Sequence, residues 1–295
     1  MIVAVLGAGT MGQGIAQVAA AAGFTTRVFD AAPERAAQAI TAVGKQLDRL
    51  VEKAKITADQ RSTTFALLSP ATTVADASRD ADLVIEAAPE SLDLKTKILG
   101  EAKSTAKVDA ILASNTSSLS LTELGMRVGA ADRVVGLHFF NPPPVMELLE
   151  IVRGLSTSDK TVDRALAIAA SMKKSPIVVN DSPGFASSRL GVILGAEAIR
   201  MLESGVASAV DIDRAMELGY RHPMGPLKLT DLVGLDVRLA ILDHLHKEVG
   251  EQFRAPSLLR TMVRAGKLGK KTGEGFYVWK DGVAVPPTKK DVSNK

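Results

Sequence analysis

A histidine and a glutamate on either side of a proline-rich turn are the residues of this chain best suited to proton transfer. His138 lies in the apolar run Val134–Phe140, and Glu150 lies in a second run, Val145–Val152. Histidine exchanges a proton near neutral pH, and a carboxylate beside it can orient its ring and stabilise its charged form. If the two runs pair as an antiparallel hairpin, His138 and Glu150 lie symmetrically about Pro144 and within side-chain contact. The spacing therefore predicts an acid/base pair.

Both residues also have a structural interpretation. A partly buried histidine is often hydrogen-bonded only for stability, and Glu150 can be a solvated strand residue. Pairing across the predicted hairpin is the feature that favours catalysis.

A glycine-rich turn near the start of the chain is typical of a dinucleotide site. It fits the pattern G-x-G-x-x-G and consists of Gly7, Ala8, Gly9, Thr10, Met11 and Gly12. The turn lies between the apolar strand Ile2–Leu6 and an Ala-rich helix, where backbone N–H groups can meet a pyrophosphate at the helix N-terminus. A purely structural glycine turn is the alternative, and the strand–turn–helix–strand order favours the cofactor site.

The residue that ends the second predicted strand indicates which dinucleotide binds. Asp30 follows Phe24–Phe29, about twenty residues after the glycines, where a carboxylate accepts hydrogen bonds from ribose hydroxyls. A carboxylate also repels a 2′-phosphate, so the sequence favours NAD. Arg35, one turn further along, leaves NADP open.

A polar loop, Ser114–Ser118, follows another predicted strand. Ligands bind at the carboxyl ends of strands in open α/β sheets, so hydroxyl and amide groups there are candidate contacts. The alternative is helix capping, in which Ser120 or Thr122 begins the next helix.

Strands and helices alternate through the first part of the chain, which predicts a Rossmann-type α/β fold with a doubly wound, mostly parallel sheet. Further strands are predicted at Ala81–Glu86, Ala110–Ser114, Arg133–Phe140, Val145–Val152 and Ile177–Asn180. From Phe185 onward only helical runs are visible: Phe185–Glu203, Ser208–Leu218, Pro226–Val249 and Ser257–Ala265. We therefore expect a dinucleotide-binding domain over 1–182, an all-helical second domain over 183–281 and a polar tail over 282–295.

The composition excludes several classes of function. The chain has no cysteine, which rules out disulfides, thiolate metal sites and cysteine nucleophiles. The net charge of +3 comes from scattered lysines and arginines, and aromatic content is only 4%, so nucleic-acid binding is disfavoured. No acidic constellation predicts a metal, and no apolar run reaches membrane-spanning length. We expect a cytoplasmic protein without a targeting peptide.

Five segments together resemble the 3-hydroxyacyl-CoA dehydrogenase family, near its short bacterial 3-hydroxybutyryl-CoA dehydrogenases. They are GAGTMGQGIA (7–16), SNTSS (114–118), GLHFFNP (136–142), HPMGPLKLTDLVGLD (222–236) and LGKKTGEGFY (268–277). The resemblance covers nearly the whole chain. It implies NAD-dependent oxidation of a short-chain (3S)-3-hydroxyacyl-CoA to the 3-oxoacyl-CoA, or the reverse, in a homodimer formed through the helical domain.

The same resemblance implies a role for each matching residue. His138 is the base that takes the proton of the 3-hydroxyl, Glu150 orients it, and Ser117 contacts substrate and cofactor. The implied cofactor contacts, besides the glycine turn and Asp30, are Glu90, Lys95, Asn141 and Lys271. Lys53 matches a lysine that contacts a phosphate of coenzyme A.

Two positions depart from the family pattern. The motif Phe-x-x-Asn-Arg at the start of the helical domain carries Ser188 in place of asparagine, which exchanges an amide for a shorter hydroxyl at the expected substrate site. Around Glu90, Pro89 and Ser91 replace the family's usual apolar residue and asparagine.

Two rival functions remain open at this stage. One is a related dehydrogenase of 3-hydroxy acids that lack coenzyme A. The other is a catalytically silent dinucleotide-binding protein.

Overall fold

The chain forms two compact units in the computed structural model, which describes residues 1–286. The first unit comprises Met1–Ser182 and the second begins at Pro183. Within the described residues, no helix is long and apolar enough to cross a membrane.

An eight-stranded sheet organises the first unit. In chain order its strands are β1 Ile2–Leu6, β2 Thr25–Phe29, β3 Leu68–Pro70, β4 Leu83–Glu86, β5 Ile111–Ser114, β6 Val134–Phe139, β7 Leu148–Arg153 and β8 Ser175–Asn180. They lie side by side in the order β3-β2-β1-β4-β5-β6-β7-β8. Strands β1 to β6 are parallel and have the order of a dinucleotide-binding Rossmann sheet, while β7 and β8 run in the opposite direction. The predicted fold class is confirmed.

Seven helices accompany this sheet: α1 Thr10–Ala21, α2 Arg35–Glu52, α3 Ala58–Ala66, α4 Val74–Ser78, α5 Leu92–Lys103, α6 Leu121–Val128 and α7 Asp159–Ser171. Every residue of β4 and β5 is buried, as expected for parallel strands that are covered on both faces. The core combines strand residues such as Val5 and Ile85 with helix residues such as Ile15 and Leu47.

The hairpin predicted around the prolines is present. Strands β6 and β7 are antiparallel, and His138 is directly opposite Glu150 in their register. Gly136 is opposite Val152, and a Cβ on this glycine would lie only 2.7 Å from the Val152 Cβ, so the two strands approach closely there. Strand β7 begins at Leu148, three residues later than predicted, because the proline loop extends to residue 147.

One strand of the sheet was missed in the sequence. Strand β3 has only three residues and ends in Pro70, so it shows neither the length nor the alternation that indicates a strand. Its pairing with β2 at the edge of the sheet gives it its extended form.

The second unit is mainly helical. Its helices are α8 Ser187–Glu203, α9 Ala209–Arg214, α10 Pro226–Val233, α11 Leu235–Val249 and α12 Ser257–Arg264, with a π-helical turn at Ala215–Gly219 and 3₁₀ turns at Glu251–Phe253 and Lys270–Thr272. Buried Val192, Leu227, Leu242 and Leu259 join these helices in one core. The run predicted as one helix from Pro226 to Val249 is two, because Gly234 at φ 107° interrupts it.

A short hairpin corrects the expectation of helices alone after Phe185 and of a polar tail from residue 282. Strand β9, Val278–Lys280, pairs with β10, Val283–Val285, in antiparallel fashion. The buried Asp231 holds β9 and the residues just before it, since its carboxylate accepts hydrogen bonds from the backbone of Phe276 and from the Trp279 indole. The rest of the predicted tail, from residue 287, lies outside the described residues.

Candidate active site

The glycine turn connects β1 to α1, and two of its three glycines are required by close contacts. Gly7 has φ 114°, and a Cβ there would lie 2.6 Å from the Ala87 carbonyl oxygen at the end of β4. A Cβ on Gly12 would lie 1.7 Å from the Gly7 oxygen, so this glycine lets helix and strand pack closely. A Cβ on Gly9 would meet nothing within 4 Å. The space in front of the turn is therefore open to a ligand.

The groups around this space fit a dinucleotide. Gly9 is the N-cap of α1 and no side chain caps the helix, so the backbone N–H groups of its first turn are suited to an anionic pyrophosphate. Asp30 lies beside the turn at the end of β2. One of its carboxylate oxygens accepts a hydrogen bond from the Ala8 N–H at 2.8 Å. The other oxygen accepts a hydrogen bond from the Ala32 N–H at 2.9 Å. These bonds hold the carboxylate where ribose hydroxyls are expected.

The strongest acid/base candidate is the pair across β6 and β7. His138 Nδ1 lies 2.7 Å from Glu150 Oε2, and the two residues are 7% and 0% exposed. The ring centroid of Phe140 is 4.6 Å from that of the imidazole. A buried carboxylate at this distance holds the imidazole ring in one orientation.

The polar loop after β5 is organised around Glu90. Oε1 of Glu90 accepts hydrogen bonds from the Thr116 hydroxyl at 2.5 Å, the Ser117 backbone N–H at 3.1 Å and the Ser118 hydroxyl at 3.1 Å. Asn115 accepts a hydrogen bond from the Phe139 N–H, which ties the loop to the strand that carries the histidine. Capping occurs two positions beyond the loop, where the Ser120 hydroxyl caps α6.

A buried ion pair lies beneath this loop, and the sequence analysis did not predict it. Lys95 Nζ lies 2.9 Å from Glu86 Oε1, and the two side chains are 1% and 0% exposed. The same ammonium donates to the Ala88 carbonyl at 3.1 Å and lies 3.3 Å from Glu90 Oε2. The Ser114 hydroxyl donates to the other Glu86 oxygen at 2.6 Å. A glutamate that ends the apolar run ADLVIE was the signal that could have revealed this cluster.

These charges affect the ionisation of Glu90. Burial raises the pKa of its carboxyl, but the Lys95 ammonium and the hydrogen bonds from the polar loop outweigh burial. The pKa of Glu90 therefore lies below its ordinary value, and the carboxylate is charged at neutral pH.

The proline loop after β6 carries Asn141, whose side chain is exposed. The peptide bond between Asn141 and Pro142 is cis. A Cβ on Gly14 of α1 would lie 2.7 Å from Pro143, so the absence of a side chain there lets the loop pack on the helix. Lys174 donates to the carbonyls of Pro143 and Met146 at 2.5 and 2.8 Å. The loop is thus held from two sides.

The remaining predicted residues occupy different places. Lys53 is exposed at the end of α2 in the first unit. In the second unit, Ser188 lies half-buried in the first turn of α8, and Lys271 Nζ lies 2.6 Å from the Asp236 carboxylate.

Comparison with protein-family models decides the family. The model described as "3-hydroxyacyl-CoA dehydrogenase, NAD binding domain" matches residues 2–182, and "3-hydroxyacyl-CoA dehydrogenase, C-terminal domain" matches residues 184–279. The chain belongs to the 3-hydroxyacyl-CoA dehydrogenase family. It is an oxidoreductase, and its first unit is the family's NAD-binding domain.

Individual members of the 3-hydroxyacyl-CoA dehydrogenase family agree with this assignment. The chain is 44% identical over 278 residues to the probable 3-hydroxybutyryl-CoA dehydrogenase of Bacillus subtilis, covering 94% of this chain and 96% of the relative. It is 41% identical to the 3-hydroxybutyryl-CoA dehydrogenase of Clostridioides difficile, covering 94% and 99%. The crystal structure of (S)-3-hydroxybutyryl-CoA dehydrogenase PaaH1 from Ralstonia eutropha superimposes with a TM-score of 0.91 at 42% identity, covering 95% of this chain and 99% of that one.

Proposed function

We propose that this 3-hydroxyacyl-CoA dehydrogenase oxidises a short-chain (3S)-3-hydroxyacyl-CoA to the 3-oxoacyl-CoA with NAD, and catalyses the reverse reduction. The observation that carries the proposal is the buried 2.7 Å contact between His138 and Glu150 at the end of β6. The printed names of the relatives, 3-hydroxybutyryl-CoA dehydrogenases, support a short acyl chain.

His138 acts as the acid/base in this proposal. An imidazole that donates its Nδ1–H to Glu150 carries its lone pair on Nε2, and this nitrogen accepts the proton of the substrate 3-hydroxyl. The O–H and C3–H bonds break as the C3 carbonyl forms, and NAD accepts the hydride. The Glu150 carboxylate stabilises the imidazolium that results. In the reduction, the protonated histidine returns its proton to the C3 oxygen.

The polar loop positions the reacting group. Because the Ser117 N–H is bound to Glu90, the backbone at this serine is held in place. Its hydroxyl takes part in no hydrogen bond within residues 1–286, so we assign it to the substrate oxygen and the cofactor. Lys95 is buried, and its ammonium already pairs with oxygens of Glu86, Ala88 and Glu90. We therefore assign Lys95 to holding Glu90 in place at the cofactor site.

The cofactor site in this proposal consists of the glycine turn from Gly7 to Gly12, Asp30 and Glu90, with Asn141 and Lys271 as further contacts. Asp30 favours NAD over NADP, since a carboxylate repels a 2′-phosphate. We assign Ser188 to the acyl thioester.

Lys53 is proposed to bind a phosphate of coenzyme A, and a substrate pair tests this. Lys53→Met should raise KM for acetoacetyl-CoA and leave KM for acetoacetyl-pantetheine, which lacks the nucleotide, unchanged. Lys160→Met, which removes an exposed lysine of α7, is the control. An equal rise in KM for both substrates would show that Lys53 does not bind a phosphate of coenzyme A.

A substrate panel tests the proposed activity as a whole. Purified protein is assayed by NADH absorbance with 3-hydroxybutyryl-CoA, with free 3-hydroxybutyrate and with carnitine, each with NAD and NADP. We expect turnover of the thioester with NAD. Turnover of the free acids alone would identify a dehydrogenase of substrates without coenzyme A. NADH binding without any turnover would identify a silent dinucleotide-binding protein.

We further propose that the second unit mediates a homodimer. Val206, Leu218 and Tyr220 are apolar side chains of this unit that are at least 64% exposed, and such exposure marks association surfaces when the residues are contiguous. Light scattering should give twice the mass of the chain for the wild type. Leu218→Glu together with Tyr220→Glu should shift the mass towards the monomer, and an unchanged mass would place the interface elsewhere.

A further inference from the structure

Lys174 lies just before β8 and joins this edge of the sheet to the proline loop between β6 and β7. Its ammonium donates hydrogen bonds to the carbonyl oxygens of Pro143 at 2.5 Å and Met146 at 2.8 Å, and it forms no ion pair within residues 1–286. The side chain is half-buried. Burial lowers the pKa of Lys174 below its ordinary value, an effect that the Glu147 carboxylate opposes. The charge of this lysine is therefore directed at the backbone of a single loop.

The proline loop has a shape of its own, but it needs outside contacts to fix its place. Val145 and Met146 donate their backbone N–H groups to the Pro142 carbonyl at 3.0 Å, which closes a turn. The prolines limit backbone rotation within that turn. These features act inside the loop, so they do not determine where it lies relative to the neighbouring helix α1.

Contacts on two sides supply that position. Pro143 is buried, and a Cβ on Gly14 of α1 would lie 2.7 Å from its ring, so the loop and the helix are in close contact. The Lys174 ammonium binds the same proline from the side of β8. Packing against a glycine has little directional preference, whereas hydrogen bonds from a cation are strong and have a defined geometry. Lys174 thus supplies the directional contact in the middle of the loop.

The loop also lies beside the helix of the cofactor site. Gly14 is four residues from Thr10, the first residue of α1, which corresponds to about 6 Å along the helix axis. Asn141 precedes Pro143 by two residues, a span of at most about 7 Å. The Asn141 side chain is exposed and takes part in no hydrogen bond within residues 1–286. Asn141 is therefore within reach of a dinucleotide at the start of α1, and its place depends on the loop.

We propose that Lys174 is a positioning residue for the cofactor, because it holds the proline loop against α1 so that Asn141 meets the bound dinucleotide. This inference rests on the proposed function, which assigns Asn141 to the cofactor. Without the two hydrogen bonds the loop is more mobile, and binding of the dinucleotide must order it, which weakens binding. His138 and Glu150 are positioned by the pairing of β6 with β7, so the chemical step depends less on Lys174.

Cofactor affinity is the first measurement. Lys174→Met keeps an unbranched side chain and removes the ammonium. The NADH dissociation constant from fluorescence titration should rise about 10-fold, the loss expected for hydrogen bonds from a charged group. KM for NADH should rise by a similar factor, whereas kcat at saturating NADH should stay nearly unchanged. A residue that only stabilises the fold would instead lower the melting temperature and leave both constants of the folded enzyme unchanged.

Two further variants separate the role of Lys174 from general effects of charge. Lys173→Met removes the neighbouring lysine, which is exposed, and should leave NADH affinity unchanged. Lys174→Arg retains a cation with several N–H donors and should restore part of the affinity. Wild-type affinity in Lys174→Met, or an equal loss in Lys173→Met, would overturn the inference.

A double-mutant cycle tests whether Lys174 acts through Asn141. Asn141→Ala should itself weaken NADH binding. If the lysine acts only by placing this side chain, the variant with both substitutions should bind NADH no more weakly than Asn141→Ala alone. Two losses that multiply would show independent roles and would contradict the inference.

Hydrogen exchange measures the loop directly, without any ligand. The amides of Val145 and Met146 should exchange faster in Lys174→Met than in wild type, while the amides of β1 keep their protection. Unchanged exchange in the loop would also overturn the inference. If Lys174→Met does not fold, Lys174→Gln, which is neutral but still polar, takes its place in every measurement with the same expected results.

Failure of the proposed function gives a different pattern. NADH titration requires no turnover, so the comparison of variants remains valid for an enzyme that oxidises no 3-hydroxyacyl-CoA. Wild-type affinity in Asn141→Ala would refute the cofactor contact of Asn141 and the inference together. Weaker binding in Asn141→Ala but not in Lys174→Met would refute only the role of Lys174.

Discussion

Glu86 and Lys95 form an ion pair of 2.9 Å in which the two side chains are 0% and 1% exposed. Glu86 ends β4, whereas Lys95 lies in the first turn of α5, so the pair joins a central strand to the helix that follows it. Since Lys95 also lies 3.3 Å from Glu90, the pair supports the polar loop that we assign to substrate and cofactor.

Removing the charge of Glu86 should destabilise the protein severely. Glu86→Gln leaves the Lys95 ammonium buried without its main counter-charge, which costs about 3–5 kcal/mol in the free energy of unfolding. Urea denaturation followed by circular dichroism measures this loss. The control is Asp48→Asn, which breaks a surface ion pair of 2.8 Å with Arg61 and should cost less than about 1 kcal/mol. Similar losses in the two variants would contradict the structural role of the buried pair.

Two alanine substitutions in the glycine turn should have opposite consequences. Gly9→Ala meets no neighbouring atom, so the free energy of unfolding should change by less than about 1 kcal/mol. Its methyl group enters the space assigned to the pyrophosphate, and NAD affinity should fall about 10- to 100-fold. Gly12→Ala places a Cβ 1.7 Å from the Gly7 oxygen and should destabilise the fold itself.

Thermal unfolding and NADH fluorescence titration measure these two effects separately. A Gly9→Ala variant that binds NADH as tightly as wild type would contradict the assignment of the turn to the pyrophosphate.

Substitutions of the His138–Glu150 pair should reduce turnover and spare cofactor binding. His138→Gln removes the proton acceptor, and kcat should fall about 100- to 10,000-fold. Glu150→Gln keeps the shape of the side chain, but its amide no longer dictates which imidazole nitrogen carries the proton, so kcat should fall too. Steady-state assays with acetoacetyl-CoA and NADH give kcat, and fluorescence titration gives NADH affinity. Normal turnover in His138→Gln would refute the proposed acid/base.

The lowered pKa of Glu90 predicts how stability depends on pH. A carboxyl whose pKa is lower in the folded protein contributes stability above its ordinary value of 4.5, and this contribution is lost as the pH falls through the native pKa. Glu90→Gln should therefore flatten the fall in unfolding free energy between about pH 6 and pH 3. Urea denaturation across this range is the measurement, and Glu101→Gln, an exposed residue of α5, is the control. Parallel curves for wild type and Glu90→Gln would contradict the prediction.

Features that depend on nearby residues could be predicted from the sequence. The glycine turn is specified by backbone requirements within about six residues, between a strand and a helix, and these appear directly as residue types. The opposition of His138 and Glu150 was equally predictable, because a hairpin that turns at the prolines sets the register of its strands. The alternation of strands and helices was enough to predict the Rossmann sheet.

Tertiary structure alone decided the remaining features, because they depend on partners that are distant in the chain. Strand β3 is extended only through its pairing with β2, and its three residues carry no signal of their own. Ser114 joins the Glu86 pair because β5 lies beside β4 in the sheet. Arg238 looks like an ordinary helical arginine in the sequence. Only the packing of α11 shows that Arg238 is buried and that its Nε has no acceptor among residues 1–286, since local sequence does not state which charges lose their contact with water.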